Sequence, residues 1–235
     1  MRFRMNDKWG YLDKKGRVAI EFQFTEAGDF SEQLAAVKNK DKWQFIDTNG
    51  EIVFDETNIL KKNASVKEIY SLHAFSEGLA RALTDNGWIY VDSDANSFFT
   101  GNTVVFADSF QNGMAIIIWD NNQPLLTNEA NNWQDVDEMV KRKYSSAMPM
   151  WGIIDKSGSV LRRVNCNEIK SLSGPLFAIQ VQEKWQIINC YGKRVINDYF
   201  TSVYPVGCLV FTKDEHNNKR WFDDSGRLIF SCGES

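Results

Sequence analysis

The chain alternates short apolar runs with polar turns along most of its length. Segments such as LAAVK, WGYLD and RVAI have four or five apolar or alternating positions, which is the pattern of short β-strands. Asp, Asn and Gly follow many of these runs, as expected for tight turns. Helical spacing is not sustained within the recurring part of the sequence. The pattern therefore predicts an all-β protein.

The strands recur as one tryptophan-anchored unit. Five copies have Trp, apolar residues two and three positions later, Asp or Asn at four, and usually Gly at seven. A sixth copy, KRWFDDSGRLIF, has its Trp221 two positions further along. Successive Trp positions are 34, 45, 63 and 34 residues apart, so the basic period is 34, with insertions in two units. The residues predicted to hold the repeat are Trp9, Asp13, Gly16, Trp43, Asp47, Gly50, Trp88, Asp92, Trp151, Asp155, Gly158, Trp185, Gly192, Asp223 and Gly226.

Each recurring position has a structural interpretation. The Asp side chain accepts backbone N–H bonds at a turn, and Gly takes the left-handed conformation that closes a short hairpin. The Trp packs between neighbouring units, with a hydrogen-bond partner for its indole N–H. Ala95 stands where Gly is expected. There, either Asn96 supplies the left-handed residue or the turn is looser.

Six units of three-stranded meander are predicted in a single domain. Their expected boundaries are 1–33, 34–77, 78–112, 113–174, 175–206 and 207–235. The segment 24–30 is a candidate fourth, outer strand. A β-propeller-like arrangement is favoured, because a lone strand at 2–5 and a hairpin at 221–230 are able to pair as one split sixth blade. An open superhelical stack of the same units is the alternative.

Two insertions interrupt the period. The first, residues 55–67, is polar and is interpreted as a loop with at most a turn of helix. The second, residues 120–148, contains NNWQDVDEMVKRKY, which predicts one short inserted helix. Trp133, Val136, Val140 and Tyr144 share one face of that helix. One interpretation is that this face packs the helix onto the β-scaffold. Because inserted elements on repeat scaffolds often bind partners, the four residues are alternatively the candidate partner-binding surface.

Composition excludes several classes of protein. A net charge of −4 and a pI near 5.3 argue against a nucleic-acid partner. The longest apolar run, residues 114–119, is too short for a membrane span, and charged residues interrupt the N-terminus where a signal peptide would be apolar. We therefore expect a soluble, cytoplasmic chain. Its four cysteines form no C-x-x-C pair and are expected to be reduced.

The strings WGYLDKKG, FSEQLAAVKNKDKW, FSEGLARA and MWGIIDKSG resemble the WG-repeat (KWG-repeat) family of bacterial β-repeat proteins. The similarity extends over most of the chain and is loosest where Gln44, Ile89 and Gln186 replace the Gly after Trp. The resemblance implies a repeat scaffold that serves in interactions. It provides no catalytic or ligand-binding residues to transfer.

Motifs for catalysis, cofactors or metals are not found in the sequence. His73 and His216 have no companion motif, and the Asp-x-x-Gly spacing differs from that of a calcium loop. We therefore predict a non-enzymatic scaffold that binds another protein, without a cofactor. Two alternatives stay open, namely a ligand or glycan binder that uses exposed aromatic residues, and an unrecognised enzyme.

Overall fold

The computed structural model describes residues 1–99, 104–119 and 150–233. The chain forms two compact units, residues 1–109 and 110–235. Both consist almost entirely of short antiparallel strands, and the predicted all-β fold class is confirmed. The predicted division into one domain of six units stays a prediction.

The first unit contains the first twelve described strands. They are β1 (Arg2–Met5), β2 (Lys8–Leu12), β3 (Val18–Phe24), β4 (Glu26–Ala27), β5 (Ala35–Asn39), β6 (Lys42–Ile46), β7 (Ile52–Asp55), β8 (Ile69–Ser76), β9 (Leu79–Thr84), β10 (Gly87–Val91), β11 (Ser97–Phe99) and β12 (Val104–Ala107). The second unit follows with β13 (Met114–Trp119), β14 (Met150–Asp155), β15 (Val160–Asn165), β16 (Glu168–Ser171), β17 (Leu176–Val181), β18 (Lys184–Asn189), β19 (Arg194–Phe200), β20 (Ser202–Val206), β21 (Leu209–Lys213), β22 (Lys219–Phe222) and β23 (Leu228–Cys232).

The described strands form six meanders. Sheet 1 has the order β1-β2-β3. The other five sheets have four strands each, in the orders β4-β5-β6-β7, β8-β9-β10-β11, β12-β13-β14-β15, β16-β17-β18-β19 and β20-β21-β22-β23. In every sheet the Trp-type strand is the one before the last, between two partners that satisfy both of its backbone edges.

The interpretation of a split sixth blade is wrong. β1 pairs with β2 of its own sheet, with Arg4 opposite Trp9. The C-terminal hairpin β22–β23 belongs to a sheet that is complete with β20 and β21. The segment 24–30 does supply a strand, but β4 lies at the edge of sheet 2, where it pairs with β5.

Two kinds of turn join the strands. The turns at 6–7, 40–41 and 182–183 have two consecutive residues with positive φ, which fits the right-handed twist of a two-residue hairpin. Before the last strand of each sheet, an Asp or Asn begins the turn. At that turn in sheet 3, Ala95 itself has φ of +61° and its N–H bonds to the carbonyl of Asp92. The expectation that Asn96 would be left-handed, or that the turn would be looser, is therefore wrong.

One short helix, α1 (Glu56–Lys62), occurs among the described residues, and it lies in the first insertion. Asp55 caps it, since its side chain accepts from the Asn58 N–H while the Asn58 side chain accepts from the Asp55 N–H. Ile59 is its buried contact with the sheets. The helix predicted in the second insertion, with Trp133, Val136, Val140 and Tyr144, lies outside the described residues.

Candidate interaction surfaces

The recurring Trp side chains join consecutive sheets. Trp43, Trp88, Trp151 and Trp185 are buried, and Trp9 is partly buried. Three indole N–H groups donate to a backbone carbonyl at or beside the first strand of the following sheet. Trp43 donates to the Tyr70 carbonyl at 3.1 Å. Trp88 donates to the Val105 carbonyl at 3.2 Å, and Trp151 to the Cys166 carbonyl at 3.0 Å. A buried indole without such a partner would cost free energy, so these bonds fix where the next sheet begins.

The Asp side chains hold the turns. Asp13 Oδ1 accepts the N–H groups of Lys15 and Arg17 at 2.8 and 3.0 Å. Asp47, Asp92, Asp155 and Asp223 bind the equivalent pairs of N–H groups, and Asn189 does the same with its amide oxygen. The Ser225 hydroxyl, followed by the Arg227 backbone N–H, lowers the pKa of Asp223 to about 2. These carboxylate oxygens therefore accept hydrogen bonds from the backbone of their own turns.

Three pairs of consecutive sheets pack front to back. We call the face that carries the Trp position the front face of a sheet, and the opposite face its back face. Three apolar clusters each join the front of one sheet to the back of the next. The contacting sets are Tyr11, Ile20 and Phe24 with Val37 and Ile46; Trp43, Phe45 and Phe54 with Ala82, Ile89 and Val91; and Trp185, Ile187 and Phe200 with Val203, Val210 and Phe222.

Sheet 6 has a partly exposed front face of aromatic residues. Tyr204, Phe211, Trp221 and Phe230 lie directly opposite one another on its four strands, and we call them the aromatic end row. Their ring centroids are 6.2, 5.0 and 5.2 Å apart along the row. Tyr204 is 52% exposed and Phe230 56% exposed. A row of this kind on a sheet face is typical of a binding surface.

Sheet 1 has an exposed back face that is also apolar. Phe3, Met5 and Val18 on this face are 51%, 49% and 48% exposed. The Phe3 and Phe22 rings meet edge to face at 6.5 Å. Between them lies Gly10, where an added Cβ would come within 3.0 Å of the Phe22 ring. The missing side chain lets the two rings close over the middle strand.

One stretch of the chain matches a known repeat family. The WG containing repeat family matches residues 9–43, the stretch that runs from Trp9 to Trp43.

Residues 9–43 are thus similar to a WG containing repeat.

The WG-type unit recognised from the sequence is thus confirmed for this stretch. No curated protein matches the chain. Among solved structures, a eukaryotic initiation factor is similar with a TM-score of 0.56 and 11% identity, over 98% of this chain and 61% of that one. The computationally designed Ika8 protein has a TM-score of 0.50 and 10% identity, over 97% and 68% of the two chains. At these identities the similarity shows the fold alone, and it agrees with the predicted propeller-like repeat class.

Two cavities adjoin the WG-type units. One of about 720 Å³ lies between sheets 1 and 2 and is mainly apolar, with Tyr11, Ile20 and Phe30 in its wall. Another of about 230 Å³ lies between sheets 5 and 6 and is charged. In the second, Arg220 bonds to Asp198 at 2.6 Å and to Asp214 at 3.3 Å. The charges there are paired with one another, as in a structural ion-pair network.

The two histidines have separate surroundings. His73 Nε2 lies 3.2 Å from the Ser71 hydroxyl, and its ring packs against Trp88 at 5.4 Å. Burial, followed by the nearby Arg81 guanidinium, lowers the pKa of His73 to about 3. His216 is exposed beside Glu215. Within residues 1–99, 104–119 and 150–233, no group of three metal-ligating side chains comes together, and no helix is long and apolar enough to cross a membrane.

Sequence reasoning identified Trp221 but not the other three members of the aromatic end row. A signal was present in the alignment of units. Phe211 occupies the position held by Ala36 in sheet 2 and Ala178 in sheet 5, which are both buried under the following sheet. A large ring at a position where other sheets have a buried Ala indicates that the front face of sheet 6 does not pack as the front faces of sheets 2 and 5 do.

Proposed function

We propose that the chain is a non-catalytic scaffold for protein–protein association, and that the aromatic end row binds the back face of sheet 1 in a second copy of the chain. The repeat scaffold itself is supported by the WG repeat and by the fold. The proposal concerns what the scaffold binds and through which face.

The equivalent rows inside the chain support this proposal. In sheet 5, Ile187 lies opposite Ala178 and Ile196, and the three are buried in the cluster with sheet 6. Trp221 occupies the position of Ile187 in sheet 6, and Phe230 that of Ile196. The front rows of sheets 1, 2 and 5 are thus covered by the back of the next sheet. The partner that best fits the aromatic end row is therefore another back face of the same kind.

The exposed back face of sheet 1 meets this description. Its three strands are arranged like the last three strands of the other sheets, and Phe3, Met5 and Val18 supply apolar contact area. Aromatic residues concentrate at the centres of protein interfaces, where they bury large areas at little entropic cost. Since the two faces differ, the association is head to tail and each copy keeps one free end.

The test uses variants in which one of the two faces, the aromatic end row or the back face of sheet 1, is disrupted by a charge. Phe230→Lys places a charge on the end row, and Phe3→Lys places one on the back face of sheet 1; both residues lie half-exposed on outer strands, so the fold is expected to persist. Tyr191→Lys, at a turn residue that is 70% exposed, is the matched control. Sedimentation equilibrium should show concentration-dependent oligomers for the unaltered chain and for the control. Each end variant alone should be monomeric.

The mixture of the two end variants decides the orientation. Phe230→Lys retains an intact sheet 1 face and Phe3→Lys an intact end row, so a one-to-one mixture should form heterodimers and nothing larger. Loss of assembly in Phe230→Lys but not in Phe3→Lys would indicate end row against end row and contradict the partner assigned here. A chain that stays monomeric at all concentrations would contradict the proposal as a whole.

A glycan-binding function is the second candidate, because exposed aromatic rings also stack on sugars. It predicts a change in the Trp221 fluorescence on addition of oligosaccharides, measured as the difference between the unaltered chain and Trp221→Phe. A spectrum that does not respond across an oligosaccharide panel would remove this candidate.

A further inference from the structure

Sheet 4 has a charged residue at a position where the other five sheets have an apolar one. The last strand of each sheet places one side chain opposite the residue that lies two positions after the Trp position. For sheets 1 to 6 these side chains belong to Ile20, Phe54, Phe98, Arg162, Ile196 and Phe230. Ile20, Phe54 and Ile196 are part of the apolar clusters with the following sheet. Packing between sheets therefore favours an apolar residue at this position, and Arg162 departs from that pattern.

The Arg162 side chain packs on the turn of sheet 5. Its Cδ and Cγ atoms lie 2.9 and 3.1 Å from the place that a Cβ on Gly192 would occupy, so Gly leaves the room that this side chain needs. Aliphatic side chains pack on the equivalent glycines of two other turns. Ile20 Cγ2 lies 3.3 Å from the Cβ position of Gly50, and Ile196 Cγ1 lies 3.6 Å from that of Gly226. Arg162 thus takes the place of an aliphatic contact and brings a guanidinium to this turn.

The turn on which Arg162 packs begins with a neutral residue. Of the six such turns in the described residues, this one begins with Asn189, and the others begin with Asp13, Asp47, Asp92, Asp155 and Asp223. Two of these carboxylates also pair with an arginine, namely Arg17 at 2.7 Å and Arg227 at 3.0 Å. Arg162 is exposed and has no ion pair within the part of the chain that the structure describes. The two departures from the repeat therefore leave an arginine at this turn that is not paired with a carboxylate.

Two further cations directly follow Gly192 in the chain. Lys193 is exposed. The Arg194 guanidinium is held in place, because two of its N–H groups donate to backbone carbonyls at 3.1 and 3.0 Å. The backbone N–H groups of the turn are already bonded to Asn189. A ligand at this turn therefore meets the side-chain donors of Arg162 and Lys193, with the positive charge of Arg194 nearby.

We propose that Arg162 and Lys193 bind a phosphate group, either free or on a phosphorylated side chain of a partner protein, at the turn of sheet 5. The planar guanidinium donates to two phosphate oxygens at once, and the ammonium acts as a point charge. Two positive donors match the charge of a phosphate, which is close to −2 at neutral pH, better than that of a carboxylate. The site belongs to sheets 4 and 5, and none of its residues belongs to the two faces invoked for self-association.

An NMR titration of the intact chain with inorganic phosphate tests the site. The ionic strength is held constant, because salt screens exposed charges. The Nε–H signal of Arg162 and the amide signal of Lys193 should shift saturably. The Nε–H signal of Arg17, which already donates to Asp13 at 2.8 Å, is the internal control and should not shift. Acetate carries a single charge and should shift the two site signals several-fold less at the same concentration.

Two variants restore the repeat pattern at the site, so the fold is expected to persist in both. Arg162→Ile introduces the residue that sheets 1 and 5 have at this position, and it removes the guanidinium. Asn189→Asp introduces the turn residue of the other five sheets, and it gives Arg162 a carboxylate partner. Each variant should weaken phosphate binding about tenfold or more, as read from the Lys193 amide. Arg17→Gln, which removes an arginine that is already paired, is the matched control and should bind phosphate as the unaltered chain does.

The source of the phosphate is resolved by a second probe, a short peptide that contains phosphoserine. A peptide that binds more tightly than inorganic phosphate would identify a phosphorylated protein as the ligand, and equal affinities would identify free phosphate; both results support the site. Absence of a saturable shift, or an equal shift at Arg17, would overturn the proposal. Phosphate binding that persists unchanged in Arg162→Ile or in Asn189→Asp would also overturn it.

Discussion

The front faces of sheets 5 and 6 have the same strand geometry and opposite surroundings. Ala178, Ile187 and Ile196 of sheet 5 are buried against the back of sheet 6. The positions equivalent to these hold Phe211, Trp221 and Phe230, which form a partly exposed aromatic row. The same backbone thus carries a packing surface in one sheet and a surface suited to binding in the next. The side chains differ at all three positions, and the difference in size is largest between Ala178 and Phe211.

The largest effect expected from this comparison is on stability. Ile196→Ala removes a side chain from the covered row and should lower the free energy of unfolding by about 2–4 kcal/mol, because the cavity cannot fill. Phe230→Ala, at the equivalent position of the open row, should cost less than about 1 kcal/mol for the isolated chain. Urea unfolding at a concentration below self-association measures both. Equal losses would mean that the end row is a packed surface in the single chain.

The sequence predicted the covered rows better than the open one. The Trp, Asp and Gly positions reveal the unit because turns and internal packing impose the same physical demand on each copy. The end row serves one sheet only, so no periodicity marks Tyr204, Phe211 or Phe230. Ala95 was misjudged because its surroundings tolerate a left-handed residue that intrinsic preference disfavours.

An intermediate effect is expected at the Trp positions. Trp43→Phe keeps an aromatic ring in the core but removes the donor to the Tyr70 carbonyl. Loss of the indole hydrogen bond, together with the smaller ring, should cost about 1–3 kcal/mol in unfolding free energy. Trp221→Phe on the partly exposed row is the control, and it should cost less than about 1 kcal/mol. A control that loses as much as Trp43→Phe would contradict the assigned role of the indole bond.

The smallest effect concerns the turns of the same two sheets under acid. The Arg227 N–H bonds to the carboxylate of Asp223, and the Lys193 N–H bonds to the amide oxygen of Asn189. Folding lowers the pKa of Asp223 to about 2, so this carboxylate adds stability above the pKa of the unfolded chain and loses it as pH falls towards 2. Between pH 5 and pH 2, the NMR signal of the Arg227 amide should shift and that of Lys193 should not. Parallel shifts would contradict the difference between the two turns.

Side-chain footprinting across a range of protein concentrations tests the central claim most directly. Oxidative labelling of the aromatic end row and of Phe3 should fall together as the chain associates, while labelling of the exposed turn residue Tyr191 stays constant. Labelling of Trp221 and Phe230 that remains at its dilute-solution level in the associated sample would contradict the account, since the end row would then take no part in binding another copy.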